Sequence, residues 1–308
     1  MSGHILAIGS INMDLVIRTP HYPQPGETVM GGSFQTFPGG KGANQSVAAA
    51  RLGANVVLIG RVGKDGFGDA LLQTIKNDGV DIRYIQRDAI MPTGVAFILV
   101  DNQDGQNVIV LAEGANGNIS TEDVFKHQEV FEDAKVLMMN FECPLPALEK
   151  AIHLAKQKNI PVVLNPAPYH PFPAAMLAQI DYLITNQIEI SQLLGANQMI
   201  EDIQQIVEAV REHKQLNNVI ITLGEKGALV IEKGNSTHIE AYKVTPVDTV
   251  AAGDAFIGAF SVAIAEGKPS ITAACWGNAA GALAVTKRGA QPSLPTRADL
   301  LSLLGVSS

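Results

Sequence analysis

Short apolar runs alternate with helix-patterned stretches along most of the chain. The runs "HILAIGSI", "VVLIGRVG", "VLMMNF", "PVVLNPA", "YLITN", "NVIITLG" and "GALVIEK" are short and bounded by turn residues, the pattern of strands buried on both faces. Between them, "GANQSVAAARLG", "FGDALLQTIKNDG", "PLPALEKAIHLAKQKN" and "IEDIQQIVEAVREHKQ" repeat apolar residues three and four apart, which gives a helix one apolar face. Parallel strands need a crossover connection, usually a helix. The alternation therefore predicts βαβ units: an α/β fold of three layers, α/β/α, whose mostly parallel central sheet is covered on both faces.

Two regions break this rhythm. Over residues 13–38 the stretch "DLVIRTPHYPQPGETVMGGSFQTF" reads as strands joined by turns, and 94–111 reads as a hairpin, "GVAFILV" and "NVIVLA" across the polar turn "DNQDGQ". Hairpin strands apolar on both faces are not stable bare in water. They predict a small β-sheet lid, with one face over a ligand and the other against a second subunit, making a homodimer. The alternative is that both segments extend the edge of the main sheet. After residue 254 the pattern is helical again, over 254–267, 270–286 and 297–304, and the first of these helices is apolar or small nearly all round, which predicts burial.

Composition narrows the function classes. With 308 residues, 46% hydrophobic and 17% charged, the chain has a globular make-up and reads as one α/β domain over 1–308. Lysines and arginines number 22 against 30 acidic residues, a net charge of −8, and the basic residues cluster no further than Lys287 and Arg288, so nucleic acid has no electrostatic support as a partner. The N-terminal "MSGHILAIGSINMDLVIR" lacks the basic flank and apolar length of a signal peptide or membrane span. Cys143 and Cys275 are far apart without metal-ligand spacing, which predicts a reduced, cytoplasmic chain, and the scattered histidines argue against zinc.

Candidate chemistry gathers at turns. There is no G-x-x-x-x-G-K-[ST], and "GGKGANQ" matches neither that pattern nor G-x-G-x-x-G, so a nucleotide site would be of another kind. In "GGKGAN", Gly39, Gly40 and Gly42 allow close backbone approach before a helix expected to start near Ala43, with Lys41 and Asn44 facing whatever sits at its N-terminus. A plain turn accounts for one glycine, hardly for three around a lysine. "GSINMDL" is read as closing the first strand with Asn12 and Asp14 on one side of an extended chain, a pair able to hold neighbouring hydroxyls, or else an Asx turn into the lid. Glu142 in "NFECP" and Asn186 in "TNQIEI" stand at strand carboxyl ends, where ligands of α/β sheets gather. Asn186 and Glu189 also make a capping box, and the two readings are compatible. "TLGEKGA", with Thr222, Gly224 and Gly227, is either a backbone cradle for phosphate or an ordinary hairpin turn. In "DTVAAGDAFIGAF", Asp248 and Thr249 open a small-residue turn and Ala251, Ala252 and Gly253 offer N–H groups at a helix mouth. Asp254 follows as helix cap, as proton acceptor, or as both, with capping holding it in place for the second role.

Together these motifs resemble the PfkB carbohydrate kinases, in their ribokinase-like branch. "GGKGANQSVAAARLGA" is similar to the family's first signature and "DTVAAGDAF" to its second, while "LNPAP", "TNQIE", "TLGEKGA" and "KRGAQPS" follow family order across nearly the whole chain. Ala251 stands where many members have glycine and ribokinase-like members often have alanine. The resemblance implies the ribokinase-like fold and an ATP-dependent sugar kinase acting on O5 of D-ribose. Alternative acceptors are 2-deoxyribose, fructose or a nucleoside, and the alternative class is a non-catalytic sugar- or nucleotide-binding regulator. It implies Asp254 as general base beside an anion hole from Ala251, Ala252 and Gly253. Asn12, Asp14, Gly40, Lys41, Gly42, Asn44 and Glu142 would surround the sugar. Asn186, Glu189, Thr222, Gly224, Glu225, Gly227, Gly253 and Asn278 would border the ATP. Glu189 falls in an Asn-x-x-Glu motif associated with Mg2+, and Asp248, Val250, Ala284, Lys287, Gly289 and Ser293 would hold K+. "TKRGAQP" also reads simply as a helix C-terminus with cationic residues, Gly and Pro. The implied partners are the sugar and ATP, with neither nucleic acid nor membrane.

Overall fold

The structure, a computed structural model, describes residues 3–103, 106–232 and 234–306. Its main sheet has ten strands. Seven of them run side by side in parallel in the order Val80–Asp81, Val56–Gly63, His4–Ile8, Ala134–Asn140, Val162–Asn165, Tyr182–Asn186 and Asn218–Thr222. Ile85–Asp88 also pairs in parallel with Val56–Gly63, and two antiparallel strands, Ala228–Glu232 and Asn235–Ile239, complete the far edge. Every strand expected in this sheet forms. Lys233, the end of the expected "GALVIEK" strand, lies outside the described residues.

Alternate residues of the central strands feed two cores. Ile5, Ala7, Leu58, Met138, Val163 and Ile184 face one side; Leu6, Ile8, Ile59, Leu137, Met139 and Leu164 face the other. Helices Lys41–Arg51, Ala252–Ala265 and Ser270–Ala284 cover the first side, and Leu145–Gln157 and Ile203–Glu212 the second. Each fully buried side chain of this size contributes roughly 1.5–3 kcal/mol, so strands with no polar face demand both helical layers. Helix Ala252–Ala265 lies innermost, buried continuously from Asp254 to Ala263. Gly258 lets it pack: a Cβ there would come within 2.6 Å of Ala48 Cβ and 2.9 Å of Gln45 O, so this helix crosses Lys41–Arg51 in close backbone contact.

A second sheet stands apart, in the order Phe34–Gly39, Asn12–Thr19, Gly94–Asp101 and Asn107–Ala112. It is the expected lid and not an extension of the main sheet. Its middle pair is parallel and its outer pairs antiparallel. Ala96 and Ile98 are buried, whereas Phe97, Val108, Ile109 and Val110 are exposed. The centre of the expected hairpin turn, 104–105, lies outside the described residues. Asn12 and Asp14 need a correction: the first strand ends at Ile8, and both residues belong to the first lid strand. Among the described residues no helix is long and apolar enough to cross a membrane.

Candidate active site

The lid and the main sheet meet at Gly40. This residue caps helix Lys41–Arg51 with φ 87, and a Cβ would lie 2.6 Å from Asn12 N, so only glycine fits where the chain turns from lid strand into helix. The helix starts at Lys41, two residues before the start expected from the sequence, which puts Lys41, Gly42, Asn44 and Gln45 in its first turns.

Around this corner, side chains from remote segments hold one another. Asn12 Oδ1 accepts from Asn116 Nδ2 at 2.7 Å, and Asn116 Oδ1 accepts the Ile11 N–H at 2.9 Å. Glu142 Oε2 accepts from the Ser10 hydroxyl and from the Lys41 N–H at 3.1 Å, while the Glu142 N–H donates to Asn140 Oδ1 at 3.1 Å. Asn44 Nδ2 donates to Asp254 Oδ2 at 2.9 Å, and Gln45 Nε2 donates to Asp254 Oδ1 at 3.0 Å.

These bonds overturn the capping expectation for Asp254. The N-cap of helix Ala252–Ala265 is Ala251, in the left-handed region at φ 59, and no side chain caps the helix. Asp254 is its third residue, and its carboxylate turns toward the neighbouring helix, where Asn44 and Gln45 hold it. A buried carboxylate without partners would be penalised by several kcal/mol; each hydrogen bond to the charged form returns about 1.5–3 kcal/mol.

One ammonium sits among four carboxylates. Burial works against the charged form of Lys41, but Asp254, Glu142, Glu189 and Asp14 outweigh it and raise its pKa. Burial, then the Glu142 and Asp254 charges, push the Asp14 carboxyl up to about 7 against the opposing pull of Lys41. Burial also raises Asp254, with Lys41, Asn44 and Gln45 opposing and Glu142 adding to the rise. Glu189 is raised by burial despite the N–H of Asn186 and the charge of Lys41.

Two cavities meet at the mouth of helix Ala252–Ala265. The smaller, about 230 Å³, is lined by Lys41, Asn186, Glu189, Gly253 and Asp254 among others; the larger, about 990 Å³, by Gly224, Glu225, Gly227, Tyr242 and Asn278 among others. Thr222, Thr249 and Gly253 line both. The Asn186–Glu189 capping box forms as read, with Glu189 N–H donating to Asn186 Oδ1 at 2.8 Å and Asn186 N–H to Glu189 Oε2 at 3.1 Å. "TLGEKGA" is the turn of an antiparallel hairpin, closed by Leu223 N–H to Gly227 O at 2.8 Å, and it still borders the larger cavity. At the helix mouth the Ala252 N–H is engaged by Thr249 O at 3.3 Å, whereas the N–H groups of Gly253 and Asp254 have no protein acceptor among the described residues.

Of the residues expected around K+, Val250 and Gly289 are tied to Asp248. Its Oδ1 accepts the Val250 N–H at 3.0 Å and its Oδ2 the Gly289 N–H at 2.9 Å, while Asp248 and Val247 N–H groups both reach Val285 O. Ala284 O accepts the Lys287 N–H at 3.2 Å, and the buried Ser293 hydroxyl donates to Ala290 O at 2.7 Å. The set offers a carboxylate, a hydroxyl and carbonyl oxygens, the donor kinds that suit a hard cation.

The sequence matches the pfkB family carbohydrate kinase description over residues 2–297. The chain belongs to the PfkB family. Within it, the chain is 41% identical over 302 residues to a ribokinase of Haemophilus influenzae, covering 97% of this chain and 98% of that one. It is 34% identical over 295 residues to a deoxyribokinase of Salmonella typhi, covering 95% of each. The PfkB fold seen here superposes on the structure of Arabidopsis thaliana ribokinase complexed with ribose and ATP with a TM-score of 0.92, at 32% identity and full coverage of both chains. Of the residues that hold the site together, Gln45 stood inside the quoted "GGKGANQ" and could have been suspected from its place one residue after Asn44. Ser10, Asn116, Asn140 and Thr185 carried no local signal, and Thr249 stood out only as opening the turn with Asp248.

Proposed function

We propose that this chain is an ATP-dependent ribokinase, a single catalytic domain with a β lid, that transfers the γ-phosphoryl group of ATP to O5 of D-ribose. The observation that carries the reading is Asp254: a buried carboxylate, held on both oxygens, between a corner lined by side chains and a helix mouth that opens onto the larger cavity. Asn12, Asp14, Lys41, Asn44 and Glu142 would fix the sugar hydroxyls, with Gly40 and Gly42 giving the close approach. Asp254 would accept the proton of the primary hydroxyl as its oxygen attacks the γ-phosphorus and the bond to the β,γ-bridging oxygen breaks. Charge on the transferring group would be met by Lys41 and by the N–H groups of Gly253 and Asp254. Ala251 sets the backbone turn that aims them.

Asn186, Glu189, Thr222, Gly224, Glu225, Gly227 and Asn278 would border the nucleotide. Mg2+ bound to the nucleotide would neutralise phosphate charge. The ion would be carried by the phosphates, with Glu189 nearby. K+ at Asp248, Val250, Ala284, Lys287, Gly289 and Ser293 belongs to the same proposal; adding potassium raises kcat, and indifference to it removes that part. So do the cytoplasmic setting and a homodimer through the exposed Phe97, Val108, Ile109 and Val110, which a monomeric mass by light scattering would contradict.

The deciding experiment is kcat/KM with ATP across D-ribose, 2-deoxyribose, fructose and nucleosides. Ribose is expected to lead. The 34% identity to a deoxyribokinase supports 2-deoxyribose as the second reading, and a higher value for that sugar reassigns the substrate. Absence of turnover on all of them sinks the kinase reading.

A further inference from the structure

Gln45 has no part in the reaction described above, yet its side chain touches the carboxylate at the centre of it. The residue is 1% exposed, a costly place for an amide that is not hydrogen-bonded. Gln45 and Asn44 each take a different oxygen of Asp254, at 3.0 and 2.9 Å. One bond would leave the carboxylate free to rotate about its Cβ–Cγ bond; two bonds to separate oxygens fix that rotation. The reach is built into the helix crossing, because the missing side chain at Gly258 brings Gln45 O and Ala48 against helix Ala252–Ala265.

We infer that Gln45 is a positioning residue for phosphoryl transfer, holding Asp254 Oδ1 so that the carboxylate meets the acceptor hydroxyl ionised and in one orientation. The inference rests on the reading of Asp254 as the base. Asn44 is the less telling of the two tethers, because its Oδ1 is buried without a partner in a corner proposed to hold sugar, so its substitution would mix binding with positioning. The charged groups around Asp254 are Lys41 from the same helix as Gln45, Glu142 from the end of the Ala134–Asn140 strand, Asp14 from the lid and Glu189 across the smaller cavity. Lys41 favours the anion and Glu142 opposes it. Loss of the Gln45 donor therefore shifts the balance without removing every support.

Gln45→Met keeps length and burial while deleting the donor. It is expected to lower kcat about tenfold with the KM values for sugar and ATP held within about twofold. The acid limb of the kcat profile should move up by about one pH unit, as a carboxylate does on losing one of its hydrogen bonds. A 13C NMR titration of the aspartate carboxyls, with Asp254 identified by its loss in Asp254→Asn, should show the same upward displacement in the ligand-free protein. An unmoved midpoint with unchanged kcat overturns the inference, and so does a parallel loss of kcat, both KM values and thermal stability, which marks a merely structural residue. If Gln45→Met does not fold, Gln45→Glu keeps the shape and sets a second carboxylate against Oδ1; the limb must then rise by at least about one unit, and a fixed limb overturns the proposal. A wild type inactive on every sugar overturns the kinase reading and the catalytic half of this inference, while the titration still decides whether Gln45 holds the anion.

Discussion

At the lid corner, Asn12, Asp14, Asn44, Glu142 and Asp254 arrive from remote parts of the chain, and most are gripped by a further side chain: Asn12 by Asn116, Glu142 by Ser10, Asp254 by Asn44 and Gln45. At the helix mouth and along the larger cavity, two small-residue turns, Ala251 to Gly253 and Gly224 to Gly227, offer backbone N–H groups beside side chains such as Tyr242 and Asn278. The difference suits what each end would bind. Sugars differ largely in which neutral hydroxyls they carry and where these point, so telling them apart needs side chains fixed in direction. Phosphate carries its own charge, and N–H groups at a helix mouth or turn attract it whatever side chains surround them.

The largest effect is expected where the two ends meet. Asp254→Asn should lower kcat by about 10²–10⁴-fold while sugar binding, measured by calorimetry, survives; turnover near normal would remove the base. Next come truncations on either side. Glu142→Ala deletes a charged acceptor and should weaken kcat/KM for sugar about 10–100-fold, whereas Thr222→Ala should raise KM for ATP only about 2–10-fold. Equal losses at both positions would break the contrast between a side-chain end and a backbone end.

That contrast also explains what could be read in advance. The strands and helices followed from periodicity because burial on both faces leaves an unbroken apolar run such as "VVLIGRVG" and a helix leaves every third or fourth position apolar. The backbone end was legible too: small residues before Asp254 and the glycines of "TLGEKGA" are local features. The lid corner was legible only as candidates. Asn116 sits 104 residues from Asn12, and Gln45 sits 209 from Asp254, so nothing in their own neighbourhoods says what they hold. Asp254 was misread as a cap for the same reason, since its true partners lie on another helix.

Acidity gives a smaller and signed test of the lid corner. Asp14 titrates near 7 in the folded chain because burial and the nearby Glu142 and Asp254 charges disfavour its anion. A folded pKa raised above the unfolded one adds stability at low pH, below the unfolded value, that is lost as pH rises through the folded value. Thermal unfolding of the ligand-free protein should therefore show this contribution fading as pH climbs toward 7 and above, and Asp14→Asn should remove it. Hydroxyl donors prefer the ionised carboxylate, so sugar affinity should move the opposite way, strengthening as pH rises through about 7. Sugar binding with the same pH dependence in Asp14→Asn as in wild type would take Asp14 out of the sugar site.

The smallest effect is expected at Ala251, and its smallness is informative. A left-handed conformation disfavours an L-residue by roughly 1–2 kcal/mol, while glycine raises the entropy of the unfolded chain by an amount worth about 0.4–1 kcal/mol. The second partly offsets the first at φ 59, so Ala251→Gly should stabilise the fold by no more than about 1.6 kcal/mol and leave kcat within about twofold. Ala251→Val differs, because a β-branched residue fits that region poorly and would pull the turn toward negative φ, swinging the Gly253 and Asp254 N–H groups off their present line. Calorimetric unfolding and kcat on both variants separate the two possibilities. If the helix mouth works through its backbone, glycine is tolerated and valine is not; if both variants lose rate alike, the methyl group of Ala251 itself takes part and the division between the two ends fails there.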